Sequence, residues 1–161
     1  MIDTHCHLTF PELAGDVPGL LEEAARAGVA GAITICTTTG NAPEVLAVAR
    51  RFPNVWCSAG VHPLYADQGP HEWAWLRPVI ADARCVAWGE LGLDNHYKEP
   101  SGAVQRRVLE EQLAFIDAVR RGVGGTAPID KPVVLHCREA FDDLIPVLRA
   151  TGWGGDRFVF H

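Results

Sequence analysis

Imidazole side chains gather at the ends of strand-like segments in this sequence. Five of the seven histidines lie where an apolar run gives way to a loop, and one glutamate lies in another apolar run between two glycines. These residues are His5, His7, His62, Glu90, His136 and His161. A buried carboxylate without a partner is costly, and proteins resolve that cost with a metal, a cation or a shifted pKa. Glu90 therefore needs partners, and these imidazoles are the candidates.

This mixture of nitrogen and oxygen donors is typical of a metal site. Imidazoles with one carboxylate suit Zn, Mn, Fe or Ni better than Ca or Mg, which prefer all-oxygen sites. One carboxylate can bridge two ions, and two ions about 3.5 to 4 Å apart stabilise both the attacking and the leaving oxygen in a hydrolysis. A single histidine at a strand end is more often structural, so the prediction of metal-assisted hydrolysis rests on all of them together.

Strands and helices are expected to alternate along the whole chain. Hydrophobic patterning predicts strands at residues 1–5, 30–35, 55–59, 86–94, 132–136 and 157–161. It predicts helices between residues 16 and 28, 41 and 51, 72 and 84, 103 and 121, and 140 and 150, with a flexible connection at 122–131. Such alternation favours a parallel sheet with covering helices.

Two α/β architectures fit this alternation: an open doubly wound sheet, or the first part of a (β/α)8 TIM barrel. Barrel enzymes place their active-site groups at the C-terminal ends of many different strands, which matches the positions of the histidines and Glu90. A barrel usually needs about 250 residues, and this chain has 161 with six strands. We expect a single domain over residues 1–161 that forms an incomplete barrel.

Composition limits the function classes. The net charge of −6 provides no basic surface for passive nucleic-acid binding. The five cysteines are an odd number without a CxxC pair, which favours reduced thiols in a cytoplasmic protein. The first predicted strand starts at Met1, and no apolar run approaches the ~20 residues of a membrane span. We therefore expect a cytoplasmic protein without a membrane partner.

Five ordered motifs resemble the TatD family of metal-dependent deoxyribonucleases. They are Asp3-Thr4-His5-Cys6-His7-Leu8, Gly60-Val61-His62-Pro63, Gly89-Glu90-Leu91-Gly92-Leu93-Asp94, Pro132-Val133-Val134-Leu135-His136-Cys137-Arg138 and Phe160-His161. The resemblance covers essentially the whole chain. It implies a TIM-barrel metallohydrolase that cleaves DNA phosphodiester bonds, typically as an exonuclease. It also implies two divalent metal ions as cofactors, with Mg, Mn and Zn as the candidates.

The resemblance also implies a role for each motif residue. His5 and His7 would bind one metal, His136 and His161 would bind the second, and Glu90 would bridge the two and be central to catalysis. His62 and Arg138 match positions that would contact a substrate phosphate, a role that suits the planar donors of arginine. Two further positions stay open: Asp94 fits a site role and a turn-fixing role equally well, and His96 lies in the next loop, where it could touch substrate.

The chain departs from the family pattern at its end. Family members continue through strands seven and eight, and the metal-binding aspartate expected after the last strand has no counterpart here. We therefore expect a truncated member whose open edges, on strands one and six, invite self-association. Two alternatives remain beside the DNase hypothesis: a related hydrolase of a small amide, ester or phosphate ester, and a catalytically inactive metal-binding fragment.

Overall fold

A single parallel sheet carries the residues of interest. The computed structural model describes residues 1–161, and its strands lie in the order β1-β2-β3-β4-β5-β6. The strands are β1 Ile2–Cys6, β2 Gly31–Thr34, β3 Val55–Ala59, β4 Cys85–Asp94, β5 Val133–Arg138 and β6 Phe158–Phe160. A doubly wound sheet would reverse its strand order at a switch point, whereas a barrel keeps the sequence order. The half-barrel prediction is confirmed, and the doubly wound alternative is wrong.

Six helices accompany the strands. They are α1 Pro11–Ala14, α2 Val17–Arg26, α3 Ala42–Arg51, α4 Leu76–Ala81, α5 Gly102–Arg120 and α6 Phe141–Ala150. The carboxylate of Asp16 caps α2 by accepting a 3.0 Å hydrogen bond from the Gly19 N–H, and a proline lies in the first turn, as the sequence predicted. None of the helices combines the length and the hydropathy that a membrane crossing requires.

The fourth helix is shorter than predicted. The sequence suggested a helix over residues 72–84, but Trp73–Trp75 form a 3₁₀ turn and α4 ends at Ala81. Asp82 explains the early end, because its backbone is extended and its carboxylate accepts a 2.7 Å hydrogen bond from the Arg84 N–H. A local side-chain bond of this kind competes with continuation of the helix. The single turn of α1 was not predicted at all.

The main core lies between the sheet and its helices. Side chains from the outward faces of the strands, such as Trp88, Leu91 and Leu135, are fully buried in a cluster of 27 residues. Trp88 meets Phe115 of α5 edge to face, with ring centroids 6.0 Å apart. This packing fixes the outer face of the sheet, so that the inner face and the carboxyl ends of the strands remain available for a site.

Candidate metal centre

The carboxyl ends of five strands converge on Glu90. His5 lies near the end of β1 and His7 just beyond it, His62 follows β3, His136 lies in β5, and His161 follows β6. Glu90 lies within β4 and is 1% exposed, so its carboxylate is at the centre of these imidazoles rather than at the rim. The structure thus brings together the residues that the sequence selected by their position at strand ends.

A bulge in β4 turns Glu90 toward the site. Trp88 pairs with Val133 and Leu91 pairs with Leu135, so β4 uses one more residue than β5 over this stretch. An extra residue reverses which face the following side chains occupy. Trp88 can therefore point outward into the core while Glu90, two residues later, points inward.

Glycines allow the strands to approach closely at this point. A side chain at Gly92, whose φ is +150°, would overlap the carbonyl oxygen of His136. A β-carbon at Gly60 would lie 2.8 Å from the Gly89 Cα. Gly60 and Gly92 therefore allow β3, β4 and β5 to pack closely around the carboxylate.

The first group of possible ligands consists of His5, His7 and Glu90. Their candidate ligand atoms all lie within 4.8 Å of one another, and Glu90 Oε2 is 3.1 Å from His5 Nε2. That contact does not have the geometry of a hydrogen bond, so Glu90 Oε2, like His7 Nδ1, is buried without a hydrogen-bond partner in the protein. Buried polar atoms without a partner are costly, and a cation would satisfy the carboxylate oxygen. The residues present therefore fit a metal ion.

The other oxygen of Glu90 faces His136. Glu90 Oε1 is 2.9 Å from His136 Nδ1, and the opposite ring nitrogen, Nε2, is 2.8 Å from Asp94 Oδ2. The second oxygen of Asp94 accepts hydrogen bonds from the backbone N–H groups of His96 and Tyr97. Asp94 thus fixes the turn and also holds an imidazole, so that the two roles left open by the sequence are combined.

His62 and His161 occupy different places beside this pair. His62 Nε2 lies 3.2 Å from His136 Nδ1, and its ligand atom forms a compact group with those of Glu90 and His136. The compact group does not contain His161, whose Nε2 is 3.8 Å from Glu90 Oε1. The sequence predicted His161 as a ligand and His62 at the phosphate, and this assignment stays a prediction.

The hydrogen bonds of His62 define its tautomer. Its Nδ1 accepts a 3.1 Å hydrogen bond from the Leu64 N–H, so this nitrogen carries no proton. Burial lowers the pKa of His62 to about 4, so the ring is neutral near pH 7 and its single proton lies on Nε2. The nitrogen that faces the centre is then a hydrogen-bond donor rather than a free ligand.

Glu90 and His136 each stabilise the charged form of the other. Burial acts to raise the pKa of Glu90, but the hydrogen bond from His136 and the contact with His5 outweigh it, so the pKa lies well below its usual range. Burial likewise acts to lower the pKa of His136, and its contacts with Glu90 and Asp94 reverse this, so the pKa is raised. Without metal, a proton on His136 compensates part of the carboxylate charge.

Two predicted substrate residues lie at the rim. Arg138 is exposed, and its guanidinium carbon lies 5.1 Å from the centroid of the Tyr97 ring. His96 is also exposed, and its Nδ1 is 2.9 Å from Glu139 Oε1. The structure therefore places both outside the buried centre.

Sequence reasoning missed two glutamines. Gln105 and Gln112 lie on the buried face of α5 and hydrogen-bond to the backbone at Asp94 and Val61. They are seven residues apart, which places them on the same side of a helix among the apolar positions. Polar residues at that spacing inside an apolar stripe were the signal that could have revealed them.

Comparisons with known proteins agree with this geometry. Residues 2–161 match the family model described as TatD related DNase. The chain is 36% identical over 155 residues to a 3'-5' ssDNA/RNA exonuclease TatD from Edwardsiella piscicida, covering 92% of this chain and 54% of that protein. It is 34% identical to the uncharacterized metal-dependent hydrolase YjjV from Escherichia coli K12, covering 89% of this chain and 52% of that protein.

The crystal structure of YjjV, a TatD homolog from Escherichia coli K12, superimposes with a TM-score of 0.81 at 30% identity. The match covers 99% of this chain and 66% of that chain. The chain spans about half the length of the curated relatives it matches.

Proposed function

The chain belongs to the TatD-related DNase family, and from this membership we propose that it hydrolyses phosphodiester bonds of DNA with the help of two divalent metal ions. The observation that carries the proposal is the position of Glu90. Its two carboxylate oxygens face different imidazoles, with Oε2 3.1 Å from His5 and Oε1 2.9 Å from His136. A buried carboxylate whose two oxygens face different imidazoles is suited to bridging two cations.

His5 and His7 would hold one ion, and His136 and His161 the other, with Glu90 shared. The unpartnered atoms Glu90 Oε2 and His7 Nδ1 support the first of these sites. The second assignment prefers His161 to His62, because the Nε2 of His62 carries a proton whereas a ligand nitrogen must be free of one. When bound, two such ions activate a water molecule and stabilise the charge that develops on the phosphate.

His62 and Arg138 would orient the scissile phosphate. The Nε2–H of His62 is directed at the centre from a ring whose other nitrogen is held by Leu64, so its donor direction is fixed. Arg138 is the last residue of β5, lies at the rim and offers a planar set of donors that matches a phosphate. Asp94 would keep His136 in its ligand orientation, in the way that carboxylates support metal-bound histidines.

DNA is the proposed substrate class. One relative is named as a single-stranded DNA and RNA exonuclease, which supports a nucleic-acid substrate. The net charge of −6 indicates that the phosphate must be held locally, by the ions, His62 and Arg138, rather than by a basic surface.

The test compares two glutamate variants of the purified chain. Metal content per folded chain and release of nucleotides from a labelled single-stranded oligodeoxynucleotide are measured with Mg²⁺, Mn²⁺ or Zn²⁺. Glu90→Gln should lose both metal and hydrolysis, while Glu99→Gln, a change at an exposed residue, should lose neither. Metal binding without hydrolysis in the wild type would favour the inactive-fragment hypothesis, and hydrolysis of only small esters would favour the small-substrate hypothesis.

A further inference from the structure

Two buried glutamines of α5 each hold the backbone of one residue at the site. Gln105 Oε1 accepts a 2.8 Å hydrogen bond from the Asp94 N–H, and its Nε2 donates to the carbonyl oxygens of Asp94 and Pro100 at 2.9 and 2.8 Å. Gln112 Oε1 accepts a 2.8 Å bond from the Val61 N–H, and its Nε2 donates to the Val61 carbonyl oxygen at 2.9 Å. The glutamines are 1% and 2% exposed.

We propose that Gln105 and Gln112 are positioning residues of the hydrolytic site. Gln105 sets the place of Asp94 and, through its carboxylate, the ring of His136. Gln112 sets Val61 and thereby the adjacent His62. The catalytic meaning of this inference rests on the proposed function, but the placement of the two imidazoles does not.

The chemistry of the amide explains why glutamine serves here. A primary amide carries an acceptor and a donor side by side, which match the N–H and the C=O of a single residue in extended backbone, since these two groups point the same way. Val61 lies beyond the end of β3, and Asp94 is the last residue of β4. At both points the side-chain amide bonds to the N–H and the C=O of one residue and so replaces a neighbouring strand. The backbone N–H groups of Asp94 and Val61 can only donate, so the amide atom that faces each of them must be the oxygen.

One helix supplies both contacts. Seven residues of α-helix rise about 10.5 Å, so Gln105 and Gln112 are held at a fixed separation on one face of α5. Asp94 contacts His136 directly, with 2.8 Å between Asp94 Oδ2 and Nε2. The relative position of His136 and His62 is therefore set by a rigid element that does not itself enter the site.

The burial of these amides requires that their bonds be made. A buried backbone N–H or C=O without a partner has lost its hydrogen bond to water and gained none in return, which is costly. An apolar residue at either position would leave the N–H and C=O of Asp94 or of Val61 without these partners. The strand end would then move to find water, and the attached imidazole would move with it.

The test uses methionine as a side chain of similar length without hydrogen bonds. Gln105→Met and Gln112→Met are compared with Gln68→Met, a change at an exposed residue. The readout is ¹⁵N NMR of the histidine rings in the metal-free protein, supported by Mn²⁺ titration. Gln105→Met should change the His136 signals and raise the Kd for Mn²⁺ about tenfold, as expected when a ligand loses its support. Gln112→Met should give His62 a mixture of tautomers and change that Kd less than twofold.

Gln112→Glu provides a rescue. A protonated carboxylic acid has one acceptor and one donor, which reproduces both bonds to Val61, and burial favours this neutral form at about pH 6. This variant should keep the wild-type His62 signals, whereas a residue needed only for packing would be served as well by methionine. It also keeps the test decisive if the methionine variant does not fold.

The inference is overturned if the folded methionine variants show the wild-type signals of His136 and His62, or if Gln112→Glu behaves like Gln112→Met. Because the NMR readout needs neither metal nor substrate, its failure is distinct from failure of the proposed function. Wild-type protein without hydrolysis would refute the function and leave the placement of the imidazoles standing.

Discussion

The imidazole rings of His5 and His161 stack with their centroids 3.6 Å apart and their planes 12° apart. His5 lies in β1 and His161 directly follows β6. These are the two edge strands of the sheet, and they are not paired with each other. The two edges of the half-barrel therefore approach each other at the site through these side chains, without backbone hydrogen bonds between β1 and β6. Burial and the neighbouring His5 lower the pKa of His161, which favours the neutral ring that a metal requires.

The number of bound ions should distinguish His161 from His62 as a ligand. His161→Ala should reduce the metal content from about two ions per chain to about one, because a three-donor site loses one of its three ligands. His62→Ala should retain both ions, because the Nε2 of His62 carries the ring proton and therefore is not a metal ligand. Elemental analysis after dialysis measures this directly. The opposite pattern would make the compact group of His62, Glu90 and His136 the second site.

Metal binding should become tighter as pH rises and should release a proton near neutral pH. The pKa of His136 is raised above 6.5 by Glu90 and Asp94 against the effect of burial, so the ring keeps its proton at a higher pH than a free imidazole. A metal must displace that proton, so the affinity for the metal rises through pH 6.5 and levels off above the pKa that His136 has in the folded protein. Calorimetry in two buffers of different ionisation enthalpy counts the protons. Equal heats in both buffers at pH 7 would contradict this assignment.

Asp94→Asn should weaken metal binding without removing a ligand. The asparagine keeps the shape and can still accept a hydrogen bond from the backbone of His96, but it removes the charge next to His136 Nε2. Loss of such a supporting carboxylate typically costs 10- to 100-fold in affinity. The pKa of His136 should fall in the same variant, so less proton is released when metal binds. Asp67→Asn, at an exposed position, is the matched control and should bind like the wild type.

The sequence predicted the fold, and it selected side chains that lie together in the structure, because both follow from strong periodic signals. Apolar runs that end in histidines identify strands and their carboxyl ends, and alternation with helices leads to a parallel half-barrel. His5, His7, Glu90, His136 and His161 were selected in this way and lie together in the structure.

Features that depend on contacts across the fold were not predictable. The β4 bulge lies in a continuous apolar run, so no polar alternation reveals the change of face between Trp88 and Glu90. The tautomer of His62 depends on the Leu64 N–H, and the roles of Gln105 and Gln112 depend on strand ends far away in the sequence. The spacing of the two glutamines marks them as polar residues on an apolar face, but it does not encode which backbone groups they or His62 bond to.

Gly92→Ala should destabilise the protein through both backbone strain and steric overlap. Alanine substitutions at two other glycines separate these two effects. Gly92 combines a φ of +150° with contact against the His136 carbonyl, whereas Gly28 has a φ of +89° with open space around it. Gly102, the first residue of α5, has open space and no positive φ.

Gly28→Ala should lower the free energy of unfolding by about 1 kcal/mol through backbone strain alone. Gly102→Ala should be neutral or stabilising by up to about 1 kcal/mol, since alanine favours helix. Gly92→Ala adds steric overlap to strain and should cost about 3 kcal/mol or more. Urea denaturation of the metal-free protein measures all three. If Gly92→Ala costs no more than Gly28→Ala, the close approach of β4 to His136 is not what requires glycine at position 92.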